Sequence, residues 1–198
     1  KSLDCGARLE PLPDQRPPVK LVAANLAHAD FSRADLRRTV LDAACLDGAV
    51  LDGAALDSAR FSGASLRRAM MRHLRGVAVV FNNARLDSAR FDGDTLVSAS
   101  FVNADLGHAW FENAVLDGAD LSGAKLSWSF WRSARLVGSQ YWSEVDSSAV
   151  VGALLHRATG IAAADLARLH RLGACVDSIS LSDWDARFHI DFCEAPVA

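Results

Sequence analysis

A large apolar residue recurs at every fifth position from Leu21 to Val151, and only Gly76 and Asp146 fall out of character. Two positions before most of these centres stands Ala, and two positions after them Gly, Ser or Asn is common. No helix can use such a period, because five residues turn about 500° around a helix axis and would spread the centres over every face. Extended backbone can use it. Residues two apart on a strand share a face, so the small residue and the centre point inward together while their neighbours point outward. An odd period then needs one change of phase per repeat, and Gly, Ser and Asn are the residues that make a corner inexpensive. The chain is expected to be a short extended piece and a bend, many times over.

The runs Ala24-Asn25-Leu26-Ala27-His28 and Ala29-Asp30-Phe31-Ser32-Arg33 follow each other without a gap. This A-(D/N)-L-x-x pattern resembles the pentapeptide-repeat family, and the resemblance covers about two-thirds of the chain. It implies an all-β solenoid: a right-handed quadrilateral parallel β-helix of about seven coils, roughly 30 Å long at ~4.8 Å per coil. It also implies that residues 20 apart lie above one another. Sorted by that rule, the aromatic centres fall in only two of the four columns. One contains Phe31, Phe91, Phe111 and Trp131; the other contains Phe61, Phe81, Phe101 and Tyr141. These columns are opposite sides of the square, so rings are expected to stack from coil to coil.

The pattern is disturbed at Leu74–Ala78, where Gly76 occupies a centre and Leu74 the place of Ala, yet the spacing resumes in phase at Phe81. A local bulge is expected there. After Val151 the period stops. Residues Ala162–Leu172 then read as an amphipathic helix with Leu166, Leu169 and Leu172 on one side and Gly173 beyond its end, similar to the C-terminal helix cap of such solenoids. The division expected is a Pro-rich arm over 1–18, a β-helix over 19–153 and a cap over 154–198. Within the last, Val176–Leu181 and Phe188–Phe192 would pair as a small β-hairpin.

Four cysteines occur, Cys5, Cys45, Cys175 and Cys193, and none has the C-x-x-C spacing of a zinc or redox site. Cys175 with Cys193 and Cys5 with Cys45 is one of the three ways to pair them; four reduced thiols is the alternative. Oxidation would suit a periplasmic or secreted chain, reduction a cytoplasmic one. No apolar run reaches the roughly 18 residues of a membrane helix, so no membrane insertion is expected.

The formal charge of −3, from 24 acidic and 21 basic side chains, gives no global reason to bind nucleic acid. No phosphate-binding or nucleophile motif occurs, and the Asp residues are placed by the repeat too regularly to be singled out as catalytic. No cofactor, metal or enzymatic activity is expected. The charges are nevertheless banded. Asp42, Asp47, Asp52 and Asp57 are followed by Arg60, Arg67, Arg68, Arg72, Arg75, Arg85 and Arg90, and then by Asp92, Asp94, Asp105, Glu112, Asp117 and Asp120. Either adjacent bands satisfy one another, or the basic belt meets an anionic partner.

Just before the centres of one column stand Val50, Met70, Arg90, Trp110, Phe130 and Val150, which alternation turns outward, and Trp128 adjoins them at a corner. Trp110, Trp128, Phe130 and Val150 are therefore the candidates for contact with a protein partner or a second copy, unless the C-terminal segment covers them. Two functions follow. The first is a rigid scaffold or protein-interaction module, for example a subunit of a larger envelope assembly. The second is implied by the family, some of whose members resemble duplex DNA and protect type II topoisomerases such as gyrase from antibiotics. The basic belt speaks against the second, since a DNA mimic needs a continuous acidic surface. If the register is right, Leu106→Asp buries an unpartnered charge and should cost several kcal/mol, on the order of the whole stability of a domain. A thermal melt of that variant should lose its cooperative transition; an unchanged melt refutes the register.

Overall fold

The computed structural model describes residues 17–140 and 150–176 of the 198. Their framework is a ladder of parallel bridges between positions 20 apart. On one wall Asn25 pairs with Cys45, Cys45 with Ser65, Ser65 with Arg85, Arg85 with Asp105 and Asp105 with Lys125. Three further walls run beside it through Asp30, Asp35 and Val40. Four bridged positions per 20 residues make a four-sided coil, and its core is the set of Ala and large apolar residues that the period marks.

Each repeat can be followed through its backbone groups. Cys45 donates its N–H to the Ala24 carbonyl of the preceding coil, and its own carbonyl accepts from Leu26. Leu46 donates to Ser65 of the following coil, Gly48 to Arg67, and Ala49 closes the corner onto Leu46 at 3.0 Å. The N–H of the first turn residue has no backbone acceptor, and in many repeats a polar side chain supplies one. Asp47 Oδ1 accepts from Arg67, Asp42 from Ser62, Asp57 from Val77 and Asn82 from Val102, all one coil ahead. Asp30 serves Ser32 within its own repeat. The regular Asp residues are thus acceptors that the turn needs.

The corner residue is left-handed throughout, with φ of 60° at His28, 59° at His73 and 60° at Trp128. For side-chain-bearing residues this costs roughly 1–2 kcal/mol each, so the inter-coil bonds must outweigh it. At several corners a large residue lies across a glycine of the next coil. A Cβ on Gly152 would stand 2.4 Å from the Trp128 ring, and one on Gly93 would stand 2.7 Å from His73. There the glycine supplies both the positive φ and the missing atom.

Inside, the aromatic columns stack as expected. Phe61, Phe81 and Phe101 follow at 5.0 Å, Phe91 and Phe111 at 4.6 Å, and Phe111 and Trp131 at 4.0 Å. The two columns meet edge to face across the interior, with Phe81 5.8 Å from Phe91. The buried indole of Trp131 donates to the Ser129 hydroxyl, which in turn donates to the Leu126 carbonyl.

The bulge is also present. Arg75–Val77 (β1) pairs in parallel with Thr95–Val97 (β2), placing Gly76 against Leu96. Leu74 and Gly76 have exchanged roles, the large residue filling the inward place next to the centre that glycine leaves empty. The Leu74 N–H bonds not to a turn carbonyl but to Asp94 Oδ1, at 2.7 Å. Asp94 therefore does not belong to the acidic surface band. It occupies the small inward position and is fully buried, and its Oδ2 has no partner.

Beyond residue 140 two expectations need correction. Phe130 pairs with Leu154 instead of residue 150, and Arg135 with Thr159, four positions later than the period requires. Four is one short of a repeat, so every later position shifts its role by one. Val150 is the inward residue at 1% exposure and Val151 is 39% exposed, the reverse of the assignment from the period. The ladder also continues past Ala153, since Leu154 pairs with Cys175. The helix Ala163–Arg171 (α1) is an excursion within this last coil; it buries Leu166, Ala167 and Leu169 and ends before Gly173 at φ 94°. No helix among the described residues is long and apolar enough to cross a membrane. Most of the arm, and the strands of the hairpin beyond Val176, lie outside the described residues.

Burial pushes the Asp94 carboxyl up to about 9, with Asp92 and Asp52 adding to the effect against the Leu74 hydrogen bond. A folded value above the unfolded one means that this group favours folding most below about pH 4 and that the benefit is lost as pH rises toward 9. Asp94→Asn keeps an acceptor for Leu74 and cannot ionise. It should raise stability at pH 7.5 by on the order of 2 kcal/mol or more. The difference from the parent should shrink to nothing or reverse below pH 4, as read by denaturant titrations across pH; a difference independent of pH refutes the assignment.

Candidate functional site

The outward wall that carries Asp30, Val50 and Met70 changes character toward the C-terminus, where it continues as Arg90, Trp110, Phe130, Leu154 and Cys175. Trp110 and Phe130 stack at 4.1 Å and 18°, and Arg90 Cζ lies 5.2 Å from the Trp110 ring centroid. Because these residues come from three successive coils, Trp110 is held between the guanidinium on one face and Phe130 on the other. Arg90 is itself fixed by Asp92, whose Oδ2 accepts from Nε at 2.8 Å. Trp110 remains 36% exposed along its edge, and Trp128 is 46% exposed at the adjoining corner. Three of the four expected contact residues thus face outward together; Val150 does not, for the reason of register given above.

A groove of about 440 Å³ runs beside the stack. Trp110, Phe130, Leu154 and Cys175 line its apolar side, and Glu112, Arg132 and His156, from the turn positions of the same coils, line the other. The charged row was not singled out in the sequence, although its spacing places it there as directly as it places the aromatic row. His156 could not have been assigned to it without knowing the shift in register.

The basic belt is partly neutralised by the coil before it. Arg60 pairs with Asp42, Arg67 with Asp47 and Arg72 with Asp52, while Arg90 pairs within its own repeat. Arg68, Arg75 and Arg85 make no ion pair among the described residues. Burial of Asp52 works against its ionisation, but hydrogen bonds from the Arg72 side chain and backbone outweigh it and hold the carboxyl below its usual range. Asp30 is lowered by the hydroxyl and N–H of Ser32. These carboxylates are committed to the turns, and no group of three or more His, Cys, Asp or Glu among the described residues could hold a metal ion.

Cys45 and Cys175 are half-buried members of the ladder. Cys5 and Cys193, the partners expected for them, lie outside the described residues, and so do both pairings.

Family models for pentapeptide repeats match residues 20–56, 44–75 and 78–125. The chain belongs to the pentapeptide-repeat family. Pentapeptide-repeat proteins are generally structural or interaction proteins. No curated protein matches the chain. Among solved structures it is similar to a trypsin-treated variant of QnrB1, a plasmid-mediated fluoroquinolone resistance protein, with 18% identity over 72% of each chain and a TM-score of 0.47. It is similar also to HetL, a pentapeptide repeat protein involved in heterocyst differentiation regulation from the cyanobacterium Nostoc sp., with 26% identity over 70% of this chain and 69% of that one, TM-score 0.31. A pentapeptide repeat protein from the Arabidopsis thaliana thylakoid lumen gives 21% identity over 59% and 79%, TM-score 0.37.

If the repeat's Asp is a turn acceptor first and an ion-pair partner second, the two roles separate at Asp52. Asp52→Ala removes both and should cost about 1–3 kcal/mol at neutral pH. Asp52→Asn keeps the acceptor for the Arg72 N–H and should cost less than half as much. Both differences should narrow as pH falls below about 4, because the lowered carboxylate stabilises only while ionised. Chemical denaturation at two pH values checks this; equal losses for Ala and Asn refute it.

Proposed function

We propose that this pentapeptide-repeat chain is a non-enzymatic scaffold that binds a protein partner, or a second copy of itself, through the wall of Trp110, Trp128 and Phe130. The observation that carries the reading is the Trp110–Phe130 stack, which keeps large apolar area at the surface of a rigid coil beside a groove. A rigid aromatic anchor loses little conformational entropy on binding, which favours it as a contact centre. In this reading helix α1 caps the coil stack, and the exposed Arg68, Arg75 and Arg85 are left for an anionic part of the partner. The pairing of Arg60, Arg67 and Arg72 with Asp42, Asp47 and Asp52 places cations along the rod and weighs against a DNA-like surface. A gyrase supercoiling assay with the protein added tests that alternative directly, and no protection is expected.

The wall itself is tested by changing Trp110 and Phe130 together to Ser. Both are outward, so the core rings Phe111 and Trp131 stay in place. Self-association or partner binding should weaken by about 2–4 kcal/mol, with strand content unchanged. Sedimentation and a melting curve on the same samples read the result. Unchanged association with a lowered midpoint would mean that the stack is an internal seam.

A further inference from the structure

Two buried carboxylate oxygens at one corner have no hydrogen-bond donor. They are Oδ2 of Asp94 and Oδ1 of Asp92, and only Gly93 separates the two residues. At the same turn place two coils earlier, Asp52 gives its Oδ1 to the Arg72 N–H of the next coil. Asp92 departs from this. Its Oδ2 holds Arg90, through Nε at 2.8 Å and Nη2 at 2.7 Å, and its Oδ1 is left over. Asp94 likewise spends Oδ1 on the Leu74 N–H and leaves Oδ2 over.

The other groups around this corner do not supply the missing donor. Arg72 is committed to Asp52. The His73 ring lies against Gly93, where a Cβ would stand 2.7 Å from its Nδ1, and it donates to neither oxygen. Glu112, one coil beyond Asp92, is a further acceptor. The inward places before and after Asp94 in its column are Leu74 and Ala114, which are apolar. Two facing acceptors are both satisfied by a single proton, which turns one oxygen into a donor and leaves the other to accept from it. Asp94 is the better place for that proton. It is fully enclosed, which disfavours its charge, whereas Arg90 stabilises the charge on Asp92.

We propose that Asp94 is protonated and that its Oδ2 donates to Asp92 Oδ1, one buried proton thereby holding Asp92, and through it Arg90, against Trp110. The relay ends where Arg90 Cζ lies 5.2 Å from the Trp110 ring centroid. Asp94 is then a positioning residue for the aromatic wall, although it belongs to the core. Its consequence for partner binding rests on the function proposed for that wall; the shared proton does not.

Carbon-13 NMR of the full-length protein reads both carboxyl carbons. The indole N–H of Trp110, assigned by its loss in Trp110→Phe, reads the far end of the relay. At pH 7 the Asp94 carbon should show the shift of a carboxylic acid. As pH rises, Asp94, Asp92 and Trp110 should move together in one step with its midpoint at about 9. Asp94→Asn keeps a donor for Asp92 and cannot ionise, so Trp110 should hold its pH 7 position and lose the step. Asp94→Ala removes the donor and should displace the Trp110 signal already at pH 7. An ionised Asp94 at pH 7, as a bridging water would leave it, overturns the proton. Asp94 titrating alone overturns its bond to Asp92, and a Trp110 step that persists in Asp94→Asn overturns the relay. If the relay holds while the Trp110 and Phe130 double change leaves association untouched, the binding reading fails and the relay stands.

Discussion

Everything in this protein depends on the left-handed corner. A strand alternates its side chains with period two, and a five-residue repeat keeps its inward set only if one residue per repeat absorbs the phase error. His28, His73 and Trp128 do so at φ near 60°, a conformation that disfavours side-chain-bearing residues. The ladder repays this because a corner oriented in that way hands its N–H to the next coil, as His28 does to the Asp47 carbonyl at 3.0 Å. The corner and the inter-coil bond are therefore one device. It leaves the first turn N–H without a backbone acceptor, and in many repeats an Asp or Asn accepts it, as Asp47 does from Arg67.

That chain of dependence explains why the charges of the chain read so differently in one dimension and in three. As a string they form acidic and basic bands. Folded, a 20-residue coil brings Asp47 next to Arg67 and Asp52 next to Arg72, so two bands in sequence become short ladders of alternating sign along the rod. Asp94 departs from its band altogether, because the inward position it holds is set by the phase of the repeat and not by its polarity. Its burial is tied to the bulge: once Leu74 has left the regular turn, its N–H needs an acceptor from within, and Asp94 Oδ1 provides one.

The parts of the fold legible in the sequence are those that follow from arithmetic on a fixed period. The aromatic columns, the bulge at Gly76, the helix near Ala163–Arg171 and the outward pair Trp110 and Phe130 are all of this kind. Asp94 was legible in the same way, as a carboxylate two places before the centre Leu96, and reading it as part of a charge band obscured it. Val150 was not legible. The shift of register lies in residues whose repeat character is weak, where Asp146 already breaks the row of centres, and no local signal says that the count resumes four residues late. Roles at Val150, Val151 and His156 all turn on that one count.

The same irregularity bears on where a solenoid of this type can carry a function. In the regular coils an outward position is answered by an equivalent one 20 residues before and after it, so each wall continues as a ladder of like geometry. Past residue 140 the wall receives Leu154 where the period would have put Val150, and the turn row receives His156. The stacked Trp110 and Phe130 then meet neighbours that do not continue the stack, and a groove opens where the rings end. Helix α1 departs from the same coil and returns as Cys175 on the groove's edge. Regularity builds the rigid body, and the interruption of regularity supplies a concave, chemically mixed surface that a partner can recognise.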